Sequence, residues 1–194
     1  VLHVPNAIDL NNFPKKAIKK FEKQIIFAGR LSKEKGIDVL LDTAKRLPPE
    51  YNLLILGIGP EEEKVRNIAN SKTNIHYLGY QSKQNTISLI RGSDLLIQPS
   101  IMEGISSTLL EAMGCETCII ASNVGGNIEI IENNKTGVLV EPNNAEELVD
   151  KISYLLTENE KRSAMAANSF KTVVKYDWKQ VGKLYLDIYE SLLH

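Results

Sequence analysis

The sequence is poor in cysteine and carries no excess of either charge. Its two cysteines, Cys115 and Cys118, are too few for a disulfide framework. The formal net charge is −1 at pH 7, so the chain lacks the basic excess of a dedicated nucleic-acid-binding protein. No apolar run approaches the roughly 18 residues that a membrane-spanning helix needs. The sequence therefore predicts no disulfide framework, no nucleic-acid partner and no transmembrane segment.

The first residues also lack a signal-peptide pattern, and they read like sequence from the middle of a longer chain. Hydrophobic residues make up 43% of the 194 residues, which is enough for a buried core and argues against extensive disorder. The length fits one domain of ordinary size or one lobe of a larger enzyme. We therefore expect a cytoplasmic α/β protein or a fragment of one.

Short apolar runs alternate with helical patterns along most of the chain. Residues 24–28 form an apolar run that does not alternate, which is typical of a parallel strand covered on both faces. This succession predicts an α/β fold, a doubly wound parallel sheet of about six strands with helices on both faces. The further strands are expected at residues 51–56, 75–78, 95–98, 118–121 and 137–140.

Both ends of the chain differ from this pattern. Residues 1–4 are strand-like, and the lysine-rich residues 10–22 read as a solvated linker. A final helix is expected to begin near Asp177, whose spacing to a glutamine three residues on matches a capping box. Its apolar stripe over residues 178–192 must be buried, either against this domain or against a lobe that this sequence does not include.

The stretch from residue 98 to residue 116 carries the strongest functional pattern. It leaves a predicted strand, crosses a loop and opens a helix with candidate caps at residues 106–108. Free N–H groups and aligned dipoles at such a helix start favour an anion such as phosphate. Two carboxylates, Glu103 and Glu111, flank this start and can accept hydrogen bonds from hydroxyls. The combination suits a nucleotide sugar.

A second segment is expected to face this stretch. In the strand order 3-2-1-4-5-6, the first and fourth strands are neighbours, and ligands bind at the carboxyl ends where the order reverses. Arg30 and Lys35 follow the first strand, so they could hold a diphosphate against the helix start. Locally, these cations could be ordinary surface charges, Glu103 a solvated turn residue and Glu111 half of a capping box with Thr108. Their joint placement at one switch point favours the functional interpretation.

Three other patterns are weaker. Residues 57–59 read Gly-Ile-Gly, but Glu62 stands where a dinucleotide fingerprint has its third glycine, so we interpret them as a structural turn. Cys115 and Cys118 have CxxC spacing without a second pair, which makes a metal or redox role improbable. His76 lies in a predicted strand and is expected in the core.

Several short motifs in a fixed order resemble one enzyme family. The sequence is similar to the C-terminal, donor-binding lobe of a retaining glycosyltransferase of family 4, which has the GT-B fold of two Rossmann-like lobes. The matching pieces are Pro5-Asn6-Ala7-Ile8-Asp9, Gly29-Arg30-Leu31, Lys35-Gly36, Leu78-Gly79, Pro99-Ser100, Glu103 and Glu111 separated by seven residues, Val124-Gly125-Gly126 and Thr136-Gly137. They cover nearly the whole chain.

The resemblance implies a role for each candidate site residue. Arg30 and Lys35 would hold the donor diphosphate, and they would act with Glu103 as the catalytic residues. Glu103 would lie near the donor sugar, and Glu111 would bind the ribose hydroxyls. The remaining implied donor-binding residues are Tyr80 and Gln81 beside the base, and Gly104, Ile105, Ser106, Ser107, Thr108 and Leu109 beside the sugar and phosphates.

The implied function is transfer of a hexose from a nucleoside-diphosphate sugar, UDP favoured over GDP, to an acceptor hydroxyl. No cofactor and no catalytic metal are expected, because cationic side chains and a helix dipole would stabilise the leaving diphosphate. Two alternatives remain open: a sugar-nucleotide epimerase of the same fold, and a non-catalytic nucleotide-binding module.

The resemblance also implies a division of the chain and a set of partners. Residues 1–22 would be an interdomain segment and linker, residues 23–175 the Rossmann-like nucleotide-sugar-binding domain, and residues 176–194 a C-terminal helix. The acceptor, a sugar, glycolipid or glycan, would bind a missing N-terminal lobe, without which this fragment should be inactive. The intact enzyme would be cytoplasmic, with peripheral contact to the membrane as one option.

Overall fold

The computed structural model describes residues 5–192, so the strand predicted at residues 1–4 lies outside the described residues. Six parallel strands form one sheet in the order β3-β2-β1-β4-β5-β6, which confirms the predicted doubly wound topology. The strands are β1 Gln24–Ala28, β2 Asn52–Leu56, β3 Ile75–Gly79, β4 Leu95–Gln98, β5 Cys118–Ser122 and β6 Val138–Val140.

Helices cover both faces of the sheet, as predicted. They are α1 Ile37–Arg46, α2 Glu62–Ser71, α3 Lys83–Arg91, α4 Ser107–Gly114, α5 Asn127–Ile130, α6 Ala145–Thr157, α7 Asn159–Val173 and α8 Trp178–Leu192. Successive residues of each strand point to opposite faces, so β1 contributes Ile25 and Phe27 to one core and Ile26 to the other. The first core is completed by α1, α2 and α6, the second by α3, α4 and α5, and α7 contributes residues to both.

The segment between residues 10 and 22 is packed on the domain and is not a solvated linker, which corrects the sequence prediction. Its lysines are exposed, but Leu10, Phe13, Ile18 and Phe21 pack against the second core. The Ile18 N–H donates to the Ser88 carbonyl at 2.8 Å. Apolar residues spaced between the lysines therefore fix this segment, although its charge pattern alone predicted a solvated chain.

His76 is only half-buried, because β3 lies at the edge of the sheet. Its ring stacks on Phe21 with ring centroids 4.0 Å apart, and its Nε2 lies 3.1 Å from the Asn52 side-chain oxygen. Burial lowers the pKa of His76, and the nearby Lys20 charge adds to this effect. His76 therefore belongs to neither core, and the sequence prediction of a core histidine is wrong.

The C-terminal helix begins as predicted beside the start of the described chain. The Asp177 carboxylate accepts the Lys179 N–H at 2.9 Å, so it caps α8, and it also accepts the Leu10 N–H at 3.2 Å. Within the predicted stripe, Val181 is buried but Trp178 and Tyr185 are exposed in the described part of the chain. This domain therefore covers only part of the stripe. No helix within residues 5–192 combines the length and apolar character needed to cross a bilayer.

Candidate functional site

A cleft of about 640 Å³ opens at the carboxyl ends of the central strands. It lies where β1 pairs with both β2 and β4, which is the point at which the strand order reverses. Its lining comes from residues 28–30 around the end of β1, residues 56–59 around the end of β2, four residues of segment 80–86, and Thr108 and Glu111 of α4. The topology thus brings four distant parts of the sequence to one cavity.

The Gly-Ile-Gly turn at residues 57–59 forms one wall of the cleft. It packs on the loop after β1, where the Gly29 N–H donates to the Leu56 carbonyl at 3.1 Å and the Leu31 N–H to the Ile58 carbonyl at 3.0 Å. A Cβ at Gly59 would overlap the backbone of Leu31. The turn therefore needs glycine for close packing, in agreement with its interpretation as a structural turn.

The loop after β1 lies directly against the loop after β4. Gly36 has φ 70°, and a Cβ there would overlap the Pro99 carbonyl oxygen. The Ile101 N–H also donates to the Glu34 carbonyl at 2.8 Å. Lys35 is consequently fixed next to the loop that carries Glu103, as the switch-point argument predicted.

The Glu103 carboxylate is held by three donors. Lys35 Nζ lies 2.5 Å from Glu103 Oε2, Gln98 Nε2 donates to the same oxygen at 2.7 Å, and Ser100 Oγ donates to it at 3.1 Å. Ser106 Oγ in turn donates to Gln98 Oε1 at 3.1 Å. Glu103 is therefore not a solvated turn residue, and the charge of Lys35 is paired with it in this structure.

The backbone of the Glu103 loop rests on the glycine pair that precedes α5. The Gly126 N–H donates to the Glu103 carbonyl at 3.0 Å. Gly125 has φ 43°, and a Cβ there would overlap the Glu103 carbonyl oxygen. From the start of the described chain, Asn6 Nδ2 donates to the Ile105 carbonyl at 2.6 Å. Contacts from both sides thus fix residues 103–105.

Among the described residues, no hydrogen-bond partner is found for the first backbone N–H groups of α4. The first intrahelical hydrogen bond runs from the Leu110 N–H to the Ser106 carbonyl at 3.1 Å, so the N–H groups of residues 107–109 precede the helical ladder. Ser106 occupies the N-cap position, but its hydroxyl binds Gln98 and does not cap the helix. The geometry of this helix start is compatible with the anion site that the sequence predicts.

Glu111 is buried in the wall of the cleft. Thr108 is the second residue of α4 and not its N-cap, so the proposed capping box with Glu111 is wrong. The nearest cation is Lys83, whose Nζ lies 3.7 Å from Glu111 Oε1. Burial raises the pKa of Glu111, and Lys83 lowers it only in part. A buried carboxylate whose desolvation is only partly offset by a neighbouring cation is a candidate for ligand binding.

The cleft brings together some of the predicted site residues and leaves out others. Arg30, Tyr80, Gln81, Thr108 and Glu111 line it. The pair of Lys35 and Glu103 lies beside the cavity and not in its lining, as do Gly104, Ile105, Ser106, Ser107 and Leu109. The side chain of Leu109 is fully buried in the core, so only its backbone is available to a ligand.

Gln81 is oriented within its own loop. Its Nε2 donates to the Leu78 carbonyl at 2.6 Å, and its Oε1 accepts from Asn85 Nδ2. Tyr80 is 73% exposed at the mouth of the cleft. The loop therefore presents one fixed amide and one free aromatic ring.

Sequence reasoning missed three contributors to the site. Lys83 begins α3 and reaches Glu111, Thr86 lines the cleft one turn later, and Gln98 binds Glu103. A signal existed for two of them, because Lys83 follows the carboxyl end of β3 and Gln98 is a polar end to an apolar strand. Nothing in the local sequence distinguished Thr86.

The described residues contain no group of three His, Cys, Asp or Glu side chains able to hold a metal ion. Cys115 and Cys118 are free and buried. Burial raises the pKa of Cys115 to about 12 and that of Cys118 to about 11. Both thiols are therefore expected to be unreactive in the folded chain.

Comparison with known proteins identifies the family. The model of the family described as "Glycosyl transferases group 1" matches residues 9–172. An uncharacterized glycosyltransferase of Methanocaldococcus jannaschii, MJ1178, is 31% identical over 169 residues, which are 86% of this chain and 48% of the relative. The N,N'-diacetylbacillosaminyl-diphospho-undecaprenol alpha-1,3-N-acetylgalactosaminyltransferase of Campylobacter jejuni is 27% identical over 170 residues, which are 87% of this chain and 45% of the relative.

A solved structure gives the same fold. The crystal structure of Anabaena HepE in complex with UDP-glucose superposes with a TM-score of 0.81 at 21% identity, over 88% of this chain and 49% of that chain. The chain spans about half the length of the curated relatives it matches. With a matched family model over most of its length, the chain belongs to the glycosyl transferases group 1 family.

Proposed function

We propose that this chain is the C-terminal, donor-binding domain of a retaining glycosyltransferase of family 4. In the intact enzyme it would move a hexose from a UDP-sugar to an acceptor hydroxyl. One observation carries the proposal: the cleft at the switch point joins an exposed arginine, Thr108 in the first turn of α4 and a buried carboxylate in one cavity. A diphosphate, a ribose and a base require these groups together.

The diphosphate is assigned to Arg30, Lys35 and the first N–H groups of α4. Arg30 is exposed in the cleft wall, so its guanidinium is available for a bidentate contact with phosphate oxygens. The helix start adds backbone donors and a favourable dipole. Lys35 is paired with Glu103 in this structure, so a bound diphosphate would compete for the lysine.

The nucleoside is assigned to the other end of the cleft. Glu111 accepts hydrogen bonds from the two ribose hydroxyls, which gives its buried carboxylate the partners that Lys83 alone does not supply. Tyr80 and Gln81 border the base, and the exposed ring of Tyr80 is available for stacking.

The chemistry is assigned to the region of Glu103. Departure of the nucleoside diphosphate builds positive charge at the anomeric carbon, and Arg30 and Lys35 stabilise the negative charge on the leaving group. Glu103 accepts hydrogen bonds from the donor sugar. The acceptor hydroxyl attacks from the face of the leaving group, which retains the configuration, and its proton passes to the departing diphosphate. Metal is not needed in this scheme, because the cations and the helix dipole perform its electrostatic role.

Relatives support the choice of donor and acceptor. Anabaena HepE has been crystallised with UDP-glucose, which favours UDP over GDP and a hexose as the transferred sugar. The Campylobacter jejuni relative is named for a diphospho-undecaprenol-linked acceptor, which favours a glycolipid and peripheral contact with the cytoplasmic face of a membrane. The relatives are about twice as long as this chain, which leaves room for an acceptor-binding N-terminal lobe.

Calorimetry of this chain against UDP, GDP, ADP and UDP-glucose, with and without EDTA, tests the proposal. We expect UDP and UDP-glucose to bind most tightly, EDTA to have no effect, and the chain alone to transfer no sugar. Arg30→Ala should abolish most of this affinity, whereas Lys33→Ala, at an exposed neighbouring cation outside the cleft, should not. Absence of nucleotide binding would overturn the proposal.

The full-length protein separates the two alternatives. A glycosyltransferase will consume UDP-glucose only when an acceptor is present. An epimerase will change the sugar without an acceptor, and a non-catalytic module will bind the nucleotide and release it unchanged.

A further inference from the structure

Gln98 is a buried amide at the carboxyl end of an otherwise apolar strand. Strand β4 reads Leu-Leu-Ile-Gln, and the Gln98 side chain is nearly inaccessible to solvent. Both ends of its amide are used, because Nε2 donates to Glu103 at 2.7 Å and Oε1 accepts from Ser106 at 3.1 Å. A polar side chain buried in this way has a defined orientation and a defined partner.

The donor and acceptor pattern fixes which way this amide points. An ionised carboxylate only accepts hydrogen bonds, so the Gln98 amide must turn its nitrogen towards Glu103. Its oxygen then faces Ser106, whose hydroxyl can donate to it. Ser106 is itself buried and lies at the N-cap of α4 without capping the helix. The Ser106 hydroxyl therefore orients the Gln98 amide, and this amide in turn orients the Glu103 carboxylate.

Lys35 differs from Gln98 and Ser100, the two buried neutral donors to Glu103. Lys35 is the more exposed partner of its ion pair, with 29% of its side chain accessible against 11% for Glu103. A lysine is a flexible point charge, and the diphosphate assigned to this site would attract it away from Glu103. Gln98 is neutral and anchored on a central strand, so a bound phosphate would not attract its side chain away from Glu103.

We propose that Gln98, oriented by Ser106, is a positioning residue that holds the Glu103 carboxylate in place when Lys35 turns to the donor diphosphate. The inference rests on the proposed function of Glu103. Among the hydrogen bonds of the described residues, all three that reach this carboxylate end on Oε2. Oε1 is then the oxygen left to accept a hydroxyl of the donor sugar.

The test compares UDP with UDP-glucose on the same variants. Gln98→Met keeps the volume and removes both hydrogen bonds. We expect its affinity for UDP to stay within about twofold of the parent and its affinity for UDP-glucose to fall about tenfold, the size of one hydrogen bond to a charged group. In a Glu103→Gln background, Gln98→Met should cause no further loss.

Two further variants distinguish a selective effect on UDP-glucose binding from a general loss of stability. Ser106→Ala leaves the amide in place but frees its orientation, and we expect the same selective loss at a smaller size of about threefold. Thr117→Val removes a comparable buried hydrogen bond, from Thr117 Oγ1 to the Ile90 carbonyl at 2.8 Å, at the opposite end of the sheet. It should lower the melting temperature without changing the ratio of the two affinities.

A ligand-free measurement separates failure of this inference from failure of the proposed function. In the parent, the side-chain amide protons of Gln98 should exchange slowly with solvent, and Glu103→Gln and Ser106→Ala should each accelerate that exchange. An unchanged exchange rate, or equal losses of UDP and UDP-glucose affinity in Gln98→Met, overturns the positioning role. If the parent binds no nucleotide, the proposed function fails, and the exchange rates alone decide whether Gln98 orients Glu103.

Discussion

Replacing Glu111 with glutamine should strengthen the fold and weaken nucleotide binding at the same time. The Glu111 side chain is buried in the cleft wall, and its nearest cation is the Lys83 ammonium at 3.7 Å. Burial raises the pKa of this carboxyl more than Lys83 lowers it. Ionising this carboxyl therefore costs more free energy in the folded chain than in the unfolded chain.

The sign of the pH dependence follows from this shift. A carboxyl whose pKa is higher in the folded state binds its proton more tightly there, so stability falls as pH rises from the unfolded to the folded pKa. Glutamine keeps the shape of the side chain and removes its charge. Glu111→Gln should therefore lose this pH dependence of stability, and above this pH range the variant should be more stable than the parent. The gain is limited by loss of the Lys83 pair, which contributes only about 0.2–1 kcal/mol because Lys83 is 69% exposed.

Affinity should change in the opposite direction. Hydrogen bonds to a charged group contribute about 1.5–3 kcal/mol, so Glu111→Gln should weaken UDP and UDP-glucose alike by about 10- to 150-fold. Urea unfolding between about pH 4 and 8 measures the first effect, and calorimetry measures the second. Glu160→Gln, at an exposed glutamate of α7, is the matched control. A Glu111→Gln variant that is less stable at neutral pH and binds UDP like the parent would refute the reasoning.

Three more outcomes are expected. Arg30→Ala should lower UDP affinity about tenfold or more, and Arg30→Lys should restore only part of it because the bidentate contact is lost; full restoration in calorimetry contradicts the assignment. Glu103→Gln should leave UDP affinity unchanged or raise it, because the substitution removes the charge that pairs with Lys35, and it should lower UDP-glucose affinity about tenfold relative to UDP; equal losses contradict the assignment. Cys115 and Cys118, with pKa values raised to about 12 and about 11, should resist iodoacetamide in the folded chain near neutral pH and react in urea; rapid labelling of the native chain would show that they are accessible.

The sheet could be predicted from the sequence because its strands are short apolar runs bounded by polar residues and glycine. The predicted bounds of β1 and β4 agree with the observed ones, and the other four strands agree within about one residue. The helix α5 was not predicted, since a single turn shows no periodicity. The packing of residues 10–22 was also missed, because only the folded second core shows where Phe13 and Phe21 are buried.

The candidate site could be predicted in part, because strand order determines which loops meet. Arg30 and Glu111 lie in one cavity, as the switch-point argument requires. The partners of each side chain could not be predicted in the same way. Ser106 reads as a helix cap in sequence, yet its hydroxyl binds Gln98. A serine hydroxyl at this position can either cap the helix or bind another side chain. Which of the two it does depends on the tertiary contact with Gln98, and the local sequence does not show that contact.

The two carboxylates of the motif differ in how far the protein already compensates them. Glu103 accepts hydrogen bonds from Lys35, Gln98 and Ser100 without any ligand. Glu111 is equally enclosed, but within residues 5–192 its only ion-pair partner is the exposed Lys83, at 3.7 Å. A ribose would therefore relieve an existing desolvation cost at Glu111, whereas a donor sugar would meet a Glu103 carboxylate that is already oriented. This asymmetry favours nucleoside binding as the main source of affinity for the donor. Glu103 is then left to act on the sugar, where a fixed orientation of the carboxylate matters more than binding strength.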